Sequence, residues 1–220
     1  VLLVSAYSFG QGIIIQPGAY VTLQNTARIT TSGTAGITLK STAAGTGSLA
    51  DFNSPGGVVF LGSGTATVER YISGAPWAWH MLSSPVASQA ISGEFTPSAT
   101  GYDFYTWYEP QLTWVNFKNT SVAPTWGTAN NGKTDFIPGT GYLVAYEAAN
   151  PTKVFQGTLN SGTVNFGLTY GGQSTYKYFN LVGNPYPCAI DWKASSGWDR
   201  SNLVENGSGK YDYWIWNDAA

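Results

Sequence analysis

Few residues in this chain carry acid–base or nucleophilic chemistry. There is one histidine, one cysteine and 12 carboxylates. His80 lies in "WHMLSSPVA" (79–87), between tryptophans and small hydroxyl residues, where a base beside Ser83 or Ser84 would suggest nucleophilic catalysis. Cys188 is 108 positions away, so the two cannot build a zinc site, which needs clustered His, Cys or carboxylate ligands. A lone thiol also excludes a disulfide framework within the chain, and no activating motif surrounds it. No EF-hand pattern is present, although isolated Ca²⁺ binding by carboxylates stays open. Glycoside hydrolysis needs two carboxylates across one cleft. The acids are scattered, and Glu109 beside Pro110 and Asp191 beside Trp192 are the nearest approach to a pair. Phosphate loops, nucleophile elbows and dinucleotide fingerprints are absent. No catalytic residue, metal ligand or cofactor is therefore assigned.

An internal repeat bears on His80. "WHMLSSPVA" (79–87) matches "FNLVGNPYP" (179–187), with Pro85 over Pro185. "YDFYTW" (102–107) matches "YDYWIW" (211–216) in the same order, at offsets of about 100 residues. His80 corresponds to Asn180, which cannot act as a base, and Ser83 and Ser84 correspond to Gly183 and Asn184. Histidine and asparagine share the ability to hydrogen-bond to backbone. The repeat thus predicts a strand followed by a proline-fixed turn. Asp103 and Asp212 are also matched, and turn capping is the expected role. In the first copy, "FIPGTGYLVAYEA" (136–148) adds an alternating strand, Tyr142/Val144/Tyr146. Its counterpart is not found after "YDYWIWNDAA", so a C-terminal truncation is expected.

The aromatic residues are the one functional lead. Flat apolar rings match the C–H faces of pyranoses. In the hairpin "YDFYTWYEPQLTWVNF", Tyr105 and Trp107 alternate to one face with Asp103, and Trp114 and Asn116 share a face of the returning strand. Trp126, in "APTWGTANNG", is the better exposed candidate on the expectation that loops lie at the surface. Carbohydrate-binding candidates are thus Tyr105, Trp107, Trp114 and Trp126. The alternative is that these rings are core and cross-strand packing.

The elements that must position them read as all-β. Only 10% of the 220 residues are charged and 27 are glycine. The net charge of −2, without clustered runs, argues against nucleic acid, whose binders need a basic stripe. No apolar run is long enough for a transmembrane helix. "VLLVSAYSFGQ" reads as the back half of a secretory signal peptide, over residues 1–10, with a first β-strand as the alternative. An N-terminal truncation follows from the first reading. Residues 11–70 read as short strands with alternation at Val21/Leu23, Ile37/Leu39 and Ala66/Val68, in a β-solenoid or a meander of irregular period. Residues 71–220 hold all nine tryptophans and read as a β-sandwich-like region carrying the repeat, its second copy incomplete.

Seven short motifs in order resemble a region of large secreted proteins of Bacteroidetes-type bacteria, many of them exported by the type IX secretion system. They are "GTGSL" (46–50), "ATVERYIS" (66–73), "WHMLSSPV" (79–86), "YDFYTWYEP" (102–110), "PGTGYLVAY" (138–146), "GTLNSG" (157–162) and "NLVGNPYPCAIDW" (180–192). Cys188 departs from the pattern, where a small hydroxyl residue is more usual. The resemblance implies an all-β region upstream of a C-terminal sorting domain, no catalytic residues, contact with secretion machinery in the whole protein, and a secreted or outer-surface location. The resulting expectation is a non-catalytic module in adhesion or presentation. The alternative is a carbohydrate-binding accessory region of a polysaccharide-degrading enzyme, with polysaccharide or cell-surface glycan as partner. A third reading is a β-helix enzyme whose site lies elsewhere.

Overall fold

The computed structural model describes residues 12–53, 56–96, 103–171, 179–194, 197–201, 203, 213 and 215. The signal-peptide reading of residues 1–10 and the second aromatic repeat motif, apart from Tyr213 and Ile215, lie outside the described residues. Among those described, the chain is nearly all β, with several sheets and none closed.

The first strands are β1 (Ile13–Ile15), β2 (Tyr20–Leu23) and β3 (Ile29–Gly33). Then follow β4 (Ile37–Leu39), a small hairpin of β5 (Ser41–Thr42) and β6 (Gly45–Thr46), β7 (Ser48–Asp51), β8 (Val58–Gly62) and β9 (Ala66–Tyr71). β1, β4 and β9 pair in parallel, as do β2 with β7 and β3 with β8. Each turn of chain therefore adds one strand to each of three sheets, which is solenoid winding. The irregular period has a local cause. Ile13 pairs with Ile37, 24 residues on, whereas Ile37 pairs with Ala66, 29 residues on. The β5–β6 hairpin fills most of the difference, because it lengthens the link between β4 and β7 relative to that between β1 and β2.

Alternation sends every second side chain inward. Ile15, Leu39 and Val68 stack through the first sheet and all are buried, as are Ile37 and Ala66. At the corner before this sheet, successive turns approach so closely that only glycine fits. A Cβ on Gly36 would press into the Thr65 carbonyl oxygen, and one on Gly12 into that of Gly36. The neighbour is backbone and cannot swing aside. Gly36→Ala is expected to cost about 1–3 kcal/mol through overpacking, read as a lowered urea midpoint at unchanged slope.

The second half contains β10 (Trp79–Leu82), β11 (Phe104–Tyr108), a 3-10 turn (Glu109–Gln111), β12 (Thr113–Asn116), the short helix α1 (Trp126–Ala129), β13 (Tyr142–Ala145) and β14 (Thr152–Gly157). Four of these strands form an antiparallel sheet in the order β10-β13-β11-β12. β14 returns to the solenoid and pairs antiparallel with β9 over six residues, from Thr152↔Tyr71 to Gly157↔Ala66. Its free edge is closed by side chains. Glu94 Oε1 accepts from the Val154 amide at 3.1 Å, and Gln89 Oε1 from the Gln156 amide at 2.7 Å. Covered edges of this kind do not template further pairing.

One continuous apolar core joins both parts. Phe155 on β14 lies 4.6 Å from Phe95 and 5.4 Å from Phe136, and Phe136 lies 5.5 Å from Phe104 and 5.0 Å from Tyr142. The Tyr142 hydroxyl donates to Asn130 Oδ1 and accepts from the Ile137 amide. Burial nevertheless pushes its ionisation up to about 12, and burial also raises that of Tyr146. A tyrosine whose folded pKa is raised holds its proton longer than the unfolded chain does. Folding stability is thus present below pH ~10 and falls as the pH rises toward 12. A spectrophotometric titration should show these two phenols ionising only as the chain unfolds.

Candidate functional site

Pairing register sorts the side chains of the four-stranded sheet onto two faces. His80, Leu82, Tyr142, Val144, Phe104, Thr106 and Val115 point inward and all are buried. Trp79 and Met81 on β10, Leu143 and Ala145 on β13, Tyr105 and Trp107 on β11, and Trp114 and Asn116 on β12 share the outer face.

On that face the rings pair. Trp107 stands directly opposite Trp114, with centroids 5.2 Å apart and an edge-on inclination of 62°. Trp79 faces Tyr105 edge-on at 5.8 Å. It stands opposite Ala145, whose small side chain leaves room for the ring to lean across β13. The Trp107 indole donates to the Phe179 carbonyl at 2.7 Å, which fixes its ring. Trp79 and Trp114 remain 42% and 39% exposed, while Tyr105 and Trp107 are half-buried.

Three of the four sequence candidates, Tyr105, Trp107 and Trp114, are thus brought together. The fourth is not. Trp126 is 4% exposed and belongs to the core, correcting the expectation of a surface ring. The loop around it is tied down on several sides. Thr125 caps α1 by accepting from the Thr128 amide, and the Trp126 indole donates to the Lys133 carbonyl at 2.8 Å. Its ring packs on Phe117 at 5.0 Å and on Phe104 at 6.1 Å. A side chain with those partners has no face to offer a sugar. Trp79, which the sequence reading did not nominate, takes a place on the outer face instead. The signal was available in "WHM", where alternation puts Trp79 and Met81 opposite His80.

Several groups with acid–base potential make packing or hydrogen-bond contacts. His80 is 7% exposed on the inner face, and its ring packs so closely on Gly74 that a Cβ there would lie 2.9 Å from Cε1 and Nε2. Its counterpart Asn180 accepts from the Thr169 amide and donates to the Thr169 carbonyl, each at 3.0 Å. The proline turns of the two copies form the same local bond. Ser84 Oγ accepts from the Val86 amide at 3.2 Å, and Asn184 Oδ1 from that of Tyr186 at 2.9 Å. The turns also touch. Ser83 Oγ donates to the Asn184 carbonyl, and Asn160 Nδ2 bridges the carbonyls of Ser84 and Pro185. Ser83 and Ser84 are therefore committed to turn geometry rather than aligned as nucleophiles.

Asp103 corrects a smaller expectation. Its carboxylate faces Lys118 Nζ at 3.5 Å rather than capping a turn, and Asp212 lies outside the described residues. Glu109 is 2% exposed and accepts from the Gly171 amide, while Asp191 accepts from that of Lys193 within an exposed turn. Burial pushes the Cys188 thiol up against the opposing pull of Arg70, which keeps it protonated and weakly nucleophilic at neutral pH. Among the described residues no group of three or more His, Cys, Asp or Glu is placed to hold a metal ion. No described helix is long and apolar enough to cross a membrane.

These features define an all-β protein of open sheets, in which a solenoid-like stack shares its core with an antiparallel sheet bearing an outer aromatic face. The chain belongs to the family described as Domain of unknown function (DUF8693), whose model matches residues 3–215. No curated protein and no solved structure matches it.

Proposed function

We propose that the chain is a non-catalytic module of a secreted or cell-surface bacterial protein, working in adhesion or in presentation of neighbouring parts. The observation that carries this reading is the outer face of the four-stranded sheet. Trp79 and Trp114 stand there on the two edge strands, β10 and β12, 42% and 39% exposed, while His80 and Glu109 are buried. An adhesive contact needs a rigid pre-formed surface and no proton-transfer group. The motif resemblance to proteins exported by the type IX system supports the location, and the low charge agrees with it.

A second reading, a carbohydrate-binding accessory region of a polysaccharide-degrading enzyme, draws on the same rings. The two separate in one assay. Beads coated with the chain are washed over bacterial cell envelopes and over insoluble plant polysaccharide. Retention on envelopes, reduced severalfold by the double substitution Trp79→Ala/Trp114→Ala, is the expected result. Retention on plant polysaccharide alone would favour the accessory reading. Retention no better than bare beads on either surface would overturn both.

A further inference from the structure

We infer that the strip formed by Trp79, Tyr105, Trp107 and Trp114 takes an extended, uncharged polysaccharide, stacked over several successive sugar rings. This rests on the surface-module reading and adds the chemistry of what the surface touches.

Length comes from the register. Trp79 and Tyr105 are 5.8 Å apart, Trp107 and Trp114 5.2 Å apart, and Tyr105 and Trp107 are next-but-one neighbours along β11, roughly 7 Å apart. The four rings therefore run as a diagonal from β10 to β12, spanning roughly 15–20 Å. A single sugar would cover only part of that strip, whereas a chain would cover all of it.

Charge selects the kind of chain. The remaining outward side chains of the paired strands are Met81, Leu143 and the buried Ala145 and Asn116, and alternation adds Asp103 and Lys118 at one end, whose opposite charges pair at 3.5 Å, so the face carries no net charge. A uronate or sulfate laid over it would lose water without gaining a counter-charge. A neutral glycan loses only the weak hydration of its C–H faces and keeps its hydroxyls in solvent at the rim.

Rigidity supports affinity. The Trp107 indole N–H is already engaged by the Phe179 carbonyl, which holds the edge of that ring in place. Edge-on contacts hold Trp79 against Tyr105 and Trp114 against Trp107. Rings ordered before binding lose little rotamer freedom on contact.

The test is affinity electrophoresis in gels carrying mixed-linkage β-glucan, xyloglucan, galactomannan, pullulan or polygalacturonate. At least one neutral polymer should retard the chain, and polygalacturonate should not. Trp79→Ala and Trp114→Ala should each weaken retardation about tenfold, as expected for exposed aromatic anchors, and together abolish it. Both side chains lie outside the core, so the variants should keep the parent fold, read as an unchanged elution volume and a single unfolding transition. Absence of retardation by every neutral polymer would overturn the inference, as would retardation unchanged in the double variant. So would a double variant that changes the oligomeric state instead, which would make a second copy of the chain the occupant. Cell attachment without polysaccharide retardation would also overturn it, while leaving the module reading intact.

Discussion

Trp126→Ala is expected to lower folding stability by about 3–5 kcal/mol, the range for deleting a large buried aromatic. The indole touches Phe104, Phe117 and Tyr142 and donates to the Lys133 carbonyl. Its removal opens a cavity beneath β11 and β13, where the surrounding rings are held by one another and cannot collapse inward. Asn130 Nδ2 also donates to the Lys133 carbonyl, at 2.8 Å, so that acceptor keeps one partner and the loss is mainly one of packing. A urea titration reads the effect directly. A surface ring would cost under about 0.5 kcal/mol on the same substitution, so the two placements of Trp126 differ severalfold in outcome.

Phe155→Ala is the second large effect, again about 3–5 kcal/mol. Phe155 is fully buried on β14, the strand that carries the second half of the chain back onto the solenoid. Its ring meets Phe95 and Phe136, and through Phe136 the inner face of the four-stranded sheet. The shared core makes the two halves one cooperative unit. The variant should therefore unfold in a single transition at a lower midpoint, seen alike by tryptophan fluorescence and far-ultraviolet circular dichroism. Two separated transitions would mean that the solenoid and the aromatic sheet fold independently.

Much of this was legible from residue pattern. Alternation at Ile37/Leu39 and Ala66/Val68 reports an inward face in any strand, and those residues do line the solenoid interior. The alignment of "SSP" with "GNP" predicted a proline-fixed turn in both copies, and the matched turn bonds at Ser84 and Asn184 have that origin. The irregular period left solenoid and meander both open because the β5–β6 hairpin adds residues outside the stack without adding a strand to it. The return of β14 to β9 was not readable, since pairing between distant strands leaves no local signal in either. Trp126 was misplaced for a related reason. Gly, Thr and Asn around it mark irregular backbone, and irregular backbone often lies at the surface, but the ring's own burial was decided by Phe104, Phe117 and Tyr142 from elsewhere in the chain. Alternation in "WHM" already set Trp79 on the face opposite His80, and the register with Ala145 adds that its neighbour is small enough for the ring to reach Tyr105.

The most direct measurement places the chain with an insoluble neutral polysaccharide or with cell envelopes, sediments the mixture, and assays protein in the pellet and reducing ends in the supernatant of the same tube. A binding module should be pelleted in a saturable way and release no reducing ends above the protein-free control, however long the incubation. Accumulation of reducing ends with time and protein concentration would contradict a non-catalytic role and return attention to the carboxylates assigned here to structure.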